Sequence, residues 1–399
     1  MNVTDLRSAT DTSAADLNVL LVSQPASDGV FRHVEALADY LLRHGATVHL
    51  AYSDRAACEA LPKLVERVKN TGGQTLNLRV GNRPEFADFP AWLNLRALIR
   101  AARPNLIHAH SSKAGALVRG LALCGLKGRI LYTAHAYYGM HSPSGVKARF
   151  FHSIERALGR YGTTISVSTD EAAFARDHLG IADRDQRIVP NGVDCARFRP
   201  AQPEEKMALR AQFGLPRDAL TLGTVGRFSR QKDPVTTYSA LTQIMPAAPD
   251  MHFVHLGKGE LEPMVDALLE KSGVSARCHR LQYLADTAPF YRMLDGFVLA
   301  SLYEGMSYAA IEAVASGLPI ILSDAPGNRD FADMGLDRVY WCPPKNPAAL
   351  AAAFGRWRDD SIQAGPTGVH RQAALERFSL EAAFGRMAAL YREMLTPPK

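Results

Sequence analysis

Short apolar runs punctuate this chain at regular intervals, and the longer stretches between them carry apolar residues every three or four positions. In the first half the runs fall at Val19–Val22 within Leu17–Ser23, Val48–Ala51, Thr75–Leu78, Leu106–Ala109, Ile130–Thr133 and Ile165–Val167. In the second half they fall at Leu222–Val225, Phe253–Leu256, Phe297–Ala300 and Pro319–Leu322. Runs of this length without polar alternation suit strands buried on both faces. Phe31, Val34, Leu37, Tyr40 and Leu41 recur at helical spacing after the loop Gln24–Gly29, and His44-Gly45 closes that helix. Such alternation predicts an α/β chain whose parallel sheets carry helices on both faces.

At 399 residues the chain exceeds one ordinary core and suits two domains of about 200 residues each. The expected boundaries are a loose tail over 1–16, a first domain over 17–198, a second over 199–378 and a terminal helix over 379–399. Pro200, Ala201 and Pro203 mark the linker. In the terminal helix Ser379 is available as N-cap, and Phe384, Met387, Leu390, Tyr391 and Met394 form an apolar stripe. The polar start lacks an apolar core of signal-peptide length, and no uninterrupted apolar run approaches the ~18 residues that span a bilayer. The five cysteines are widely spaced, odd in number and without metal-ligand spacing, which fits a reducing cytoplasm.

Charge divides the halves. Residues 1–200 carry 25 Lys+Arg against 18 Asp+Glu, or +7, whereas 201–399 carry 21 against 22, or −1. A basic first half is expected to meet an acidic partner, either an anionic membrane surface or a phosphate-bearing acceptor. No basic run interleaved with aromatics speaks for nucleic acid. Within Ser144–Arg160, Phe150, Phe151, Ile154 and Leu158 mix with Lys147, Arg149, Arg156 and Arg160, a pattern shared by membrane-surface helices and ordinary amphipathic ones.

The densest chemistry lies in Ser301–Ser323, SLYEGMSYAAIEAVASGLPIILS. It reads strand, loop, helix, strand. Gly305 lets a ligand approach the main chain, and the following helix start, at Met306 and Ser307, offers unpaired amides and a partial positive charge suited to a diphosphate. Glu304 in the loop and Glu312 in the helix are placed to accept hydrogen bonds from hydroxyls at opposite ends of one elongated polyhydroxy ligand. Upstream, Arg227 and Lys232 follow a strand and, five residues apart, can close on one diphosphate. Gly257 opens a tight turn after another strand. His108-Ala109-His110-Ser111-Ser112-Lys113 and Thr133-Ala134-His135-Ala136-Tyr137-Tyr138-Gly139 follow strands, where open sheets bind ligands.

The pattern S-x-Y-E-G-x-S-x-x-x-x-E-A-x-A-x-G-x-P-I resembles the nucleotide-sugar site of the family 4 retaining glycosyltransferases, and the resemblance extends over nearly the whole chain. It implies the GT-B fold, with two Rossmann-like domains facing across a cleft and a C-terminal helix crossing back to the N-terminal domain. It further implies that Arg227 and Lys232 neutralise a leaving nucleoside diphosphate, that Glu304 holds sugar hydroxyls and that Glu312 holds the ribose. His135 matches a T-x-H position close to the transferred sugar, where Tyr137 and Tyr138 would offer ring faces. Gly257 and Tyr283 match segments near the nucleotide, and Asn191 opens an N-G-V-D-x-x-x-F match on the hinge side.

Gly29 stands where the family has two glycines, so one backbone contact to the donor is in question. Arg32 and His33 fit the basic residues found there, and Arg32, His110, Ser111 and Lys113 are expected on the acceptor side. The implied reaction moves a hexose or N-acetylhexosamine from a nucleotide sugar, UDP favoured over GDP, to a lipid-linked or saccharide acceptor, without metal or other cofactor. HAHSSKAG and TAHAYYG are similar in flavour to enzymes of bacterial surface polysaccharide assembly, which places the protein in the cytoplasm, peripheral at the membrane's inner face. A nucleotide-sugar epimerase, a phosphorylase or a non-catalytic nucleotide-sugar-binding subunit would share these residues. An epimerase needs no acceptor, and a binding subunit shows no turnover.

Overall fold

The apolar runs become strands. The computed structural model describes residues 13–26, 28–55, 57–81, 83–140, 145–363 and 368–396. In the first half the strands are β1 (Asn18–Ser23), β2 (Thr47–Tyr52), β3 (Thr75–Asn77), β4 (Leu106–His110), β5 (Arg129–Thr133), β6 (Thr163–Ser166) and β7 (Gln186–Ile188). They form one sheet in the order β3-β2-β1-β4-β5-β6-β7, parallel throughout. In β1, Val19 and Leu21 pack with the helix Asp28–Arg43 on one face, while Leu20 and Val22 pack with Leu95 and Val118 on the other. Two-sided burial is why the run is apolar without interruption.

The second half holds β8 (Leu220–Val225), β9 (Met251–Leu256), β10 (Cys278–Leu281), β11 (Gly296–Leu299), β12 (Ile320–Ser323) and β13 (Val339–Cys342), in the parallel order β10-β9-β8-β11-β12-β13. The chain divides into two units, one running to Gly192 and resuming at Leu380, the other spanning Val193–Ser379. The terminal helix Leu380–Leu395 thus belongs to the first unit, where Phe384, Met387 and Tyr391 join the core of Leu37, Leu41 and Val19.

Two expectations need correction. Residues 13–16 are not a loose tail: Ala14 is fully buried, and its N–H donates to the His44 carbonyl at 2.7 Å. Residues 1–12 lie outside the described residues. Ser379 directly precedes the terminal helix, and its hydroxyl also donates back to Leu375 O at 2.8 Å. The basic helix runs over Val146–Leu158, with Ser144 outside the described residues, and it turns a polar face inward. Glu155 is buried there, accepting from Arg119 Nη2 at 2.8 Å and from the Tyr132 hydroxyl at 3.0 Å, so Val146 and Phe150 face outward with Lys147 and Arg149. No helix among the described residues is long and apolar enough to cross a membrane.

Candidate functional site

In the second sheet the strand order reverses between β8 and β11, and the loops that follow these two strands leave its carboxyl edge side by side. Open α/β sheets take their ligands in such a crevice. The loop after β8 is stitched to the loop after β11: Leu302 N–H donates to Gln231 O at 2.8 Å, and Gln231 Nε2 donates to Tyr303 O at 3.1 Å. Asp233, in a left-handed conformation at φ 46°, caps the helix Pro234–Ile244 by accepting from Thr236 N–H. That sharp corner delivers Lys232 to Glu304, whose Oε1 it meets at 2.5 Å, with both side chains largely withdrawn from water.

The turn after β9 packs beneath the same loop. Phe228 N–H donates to Lys258 O at 3.1 Å and Leu261 N–H to Phe228 O at 2.9 Å. Gly257, at φ 149°, lies so close that a Cβ there would collide with the Gly226 carbonyl. The loop after β12 closes the group, because Glu304 N–H donates to Pro326 O at 2.8 Å. Gly305, Met306 and Ser307 are buried ahead of the helix Tyr308–Ala315, and the Ser307 side chain makes no capping bond. Glu312 is buried within that helix. Arg227 is exposed at the end of β8, and Tyr283 is exposed beyond β10.

The structure therefore gathers Lys232, Glu304, Gly305 and Gly257 in one place. It also pairs a cation expected on phosphate with an acid expected on sugar. An ion pair this shielded holds both charges in position, and a ligand that enters must offer each a replacement partner.

In the first sheet the order reverses between β1 and β4, and three histidines collect there. His33 comes from the helix after β1, His110 ends β4 and His135 follows β5. His33 Nδ1 donates to Asn191 Oδ1 at 3.0 Å, and His110 Nδ1 lies 3.2 Å from His135 Nε2. Burial lowers the His33 pKa to about 4, against the Asn191 bond. Burial, then the neighbouring rings, pushes His110 and His135 well below the usual imidazole range. His108 is spent on the Tyr391 hydroxyl at 2.7 Å and on Thr133 Oγ1 at 2.9 Å.

Of the residues expected on the acceptor side, only Arg32 is exposed. His110 is fully buried, Ser111 donates its hydroxyl to the Gln24 carbonyl, and Lys113 Nζ pairs with Asp88 at 2.5 Å. Internal polar groups close to the sheet claim these side chains first. Gly29 lies inside the helix Asp28–Arg43, not in a loop before it. Tyr137 is buried beside Phe174 at 5.8 Å between ring centroids, so of the two tyrosines only Tyr138 presents an exposed ring.

Glu171 has no counterpart among the expectations, although Ser168-Thr169-Asp170-Glu171 has capping-box spacing. Ser168 Oγ accepts from Glu171 N–H at 3.1 Å. The Glu171 carboxylate, fully buried, accepts from Val167 N–H and from Ala136 N–H, both at 2.7 Å. It thereby anchors a segment in which His135 and Ala136 both have positive φ, 57° and 92°. Replacing Glu171 by Ala strands the buried Val167 amide and the part-buried Ala136 amide, so chemical denaturation should show a loss of about 2–4 kcal/mol. An unchanged urea midpoint would mean that the carboxylate anchors nothing.

Residues 27–197 match the family described as Glycosyltransferase Family 4, and residues 205–366 match Glycosyl transferases group 1. The chain is 28% identical over 251 residues to the UDP-Gal:alpha-D-GlcNAc-diphosphoundecaprenol alpha-1,3-galactosyltransferase of Escherichia coli, covering 60% of this chain and 63% of that protein. It is 26% identical over 320 residues to the D-inositol 3-phosphate glycosyltransferase of Segniliparus rotundus, covering 74% of this chain and 67% of that one. Among solved structures it is similar to Anabaena Alr3699/HepE in complex with UDP and glucose, with a TM-score of 0.78, 18% identity, and 94% and 99% of the two chains covered. A glycosyltransferase from Rickettsia africae matches with a TM-score of 0.76 at 17% identity, covering 95% and 99%. These likenesses show the GT-B fold.

Proposed function

Because this chain belongs to glycosyltransferase family 4, we propose that it transfers a hexose or N-acetylhexosamine from a nucleoside diphosphate sugar to a lipid-linked or saccharide acceptor, with retention, in the assembly of a surface polysaccharide. The observation that carries the reading is the shielded Lys232–Glu304 pair at the switch point of the second sheet. A donor offers both members a new partner at once. Its diphosphate draws the ammonium group, and its sugar hydroxyls take over the carboxylate.

As the bond to the leaving group stretches, negative charge accumulates on the diphosphate. Lys232, Arg227 and the amides of Gly305, Met306 and Ser307 then stabilise the transition state more than the bound donor, which is what accelerates transfer. These cations are sufficient for the leaving group without a metal. Glu312 holds the ribose, Gly257 lets the main chain approach the nucleotide, and Tyr283 lies near the base. His135 acts as a sugar-side hydrogen-bonding group, Asn191 fixes the neighbouring His33, and the acceptor is taken by the first unit with Arg32 at its surface.

UDP is the expected nucleotide, in line with the UDP held by Alr3699/HepE. The lipid-linked acceptor agrees with the diphosphoundecaprenol substrate in the name of the Escherichia coli relative. Exposed Val146 and Phe150 beside Lys147 and Arg149 support contact with an anionic bilayer at the cytoplasmic face.

A panel of UDP- and GDP-sugars, read first by thermal shift and then by nucleotide release, tests the proposal. One UDP-sugar is expected to raise the melting temperature and to release UDP only when an acceptor is added, faster with acceptor in anionic vesicles than in neutral ones. Turnover without acceptor would make the chain an epimerase. Binding without turnover across a broad acceptor panel would make it a sensor.

A further inference from the structure

We infer that His33, His110 and His135 form a binding site for a divalent transition metal of the zinc class, at the switch point of the first sheet. One ring nitrogen from each lies within 4.8 Å of those from the other two. His110 Nδ1 and His135 Nε2 are 3.2 Å apart. Nitrogens bound tetrahedrally at about 2.0–2.1 Å from zinc stand about 3.3 Å from one another, so this edge of the triangle already has the required length. The His33 ring centroid lies 5.3 Å from that of His110 and 4.7 Å from that of His135.

The third ring is oriented as a metal ligand is. His33 donates its Nδ1–H to Asn191, which leaves the lone pair on Nε2, and that atom is buried without a hydrogen-bond partner. Metal-binding histidines commonly give their second nitrogen to such an acceptor, which fixes both tautomer and direction. An orphaned imidazole nitrogen beside two further imidazole rings is hard to explain by packing alone, because buried polar atoms normally find partners.

His108 cannot serve as a fourth ligand, since both its nitrogens are taken. The fourth position is left to water or to an oxygen of a substrate. An all-imidazole set selects zinc, cobalt, nickel or copper over magnesium and calcium. The ion would tie together the helix after β1, the end of β4 and the segment after β5, beside which Ser111, His135 and Ala136 hold positive φ angles of 84°, 57° and 92°. None of this depends on the donor assignment in the second unit.

The test uses the full chain, stripped with a chelator and titrated with Zn²⁺ or Co²⁺. One tightly held ion per chain is expected by calorimetry, with the intense visible bands of four-coordinate Co²⁺, a higher melting temperature with Zn²⁺ and no response to Mg²⁺. His33→Ala and His110→Ala should each weaken binding about 100-fold or more, since losing even a supporting partner of a metal ligand typically costs 10–100-fold. The pair His252 and His279, whose nitrogens lie 3.0 Å apart in the second unit, supplies the control, and His279→Ala should leave binding intact. X-ray absorption on the unmodified zinc-loaded chain, which needs no variant to fold, should count three imidazoles. Unchanged affinity in both variants, fewer than three imidazoles, or no tight binding overturns the inference.

Discussion

Lys232→Ala should lower kcat/KM for sugar transfer by about 10²–10³, the usual loss when one preorganised charge contact to a developing anion is removed. The same change leaves the Glu304 carboxylate, 8% exposed, without the cation it meets at 2.5 Å, at a cost of about 1–3 kcal/mol in folding stability. The companion variant Glu304→Gln separates the two roles. It frees Lys232 for phosphate, so UDP should bind at least as tightly as before while transfer falls by about 10²–10³. Calorimetry with UDP and initial rates with the full donor read the two quantities apart. If Glu304→Gln weakens UDP as much as it weakens transfer, the pair does not exchange partners with the donor. Wild-type rates in Lys232→Ala would remove the lysine from the reaction.

Gly257→Ala should be the most damaging conservative change in the second unit. The residue sits at φ 149°, and its new methyl group would collide with the Gly226 carbonyl, which is main chain and has no rotamer to yield. Overpacking against rigid backbone plus a disfavoured conformation predicts a loss of about 2–4 kcal/mol. The damage should extend to the site, because Gly226 begins the loop that carries Arg227 and Lys232, and its N–H donates to Leu256 O at 3.0 Å. Urea denaturation and UDP affinity should therefore fall together. A variant that keeps both would show that the two loops can separate without consequence.

The central strands were legible because burial on both faces leaves only apolar residues, as in LLV of β1 and IIL of β12. The edges were harder. β7 (QRI) and β10 (CHRL) form an outer edge of each sheet, pair on one side only and bury just one residue between them, Gln186, so nothing in their composition marks them as strands. β13 (VYWC) alternates buried and half-buried positions for the same reason. The helix Val146–Leu158 was recognisable as a helix, but its orientation turned on Glu155, whose partners Arg119 and Tyr132 lie 36 and 23 residues away.

The candidate site divides along the same line. Local spacing determined which residues follow which strands, and with it the α/β class and the Gly305 loop, while the resemblance to the family singled out Arg227, Lys232, Glu304 and His135 as chemically loaded positions. Partnership was decided only in three dimensions. Lys232 and Glu304 are 72 residues apart, and His33, His110 and His135 come from a helix, a strand end and a loop far apart in the chain. Periodicity reports the surroundings of a residue through its near neighbours in the chain. Which charges and lone pairs finally meet is set by strand order, and that order is fixed by how whole helices and sheets bury their apolar faces.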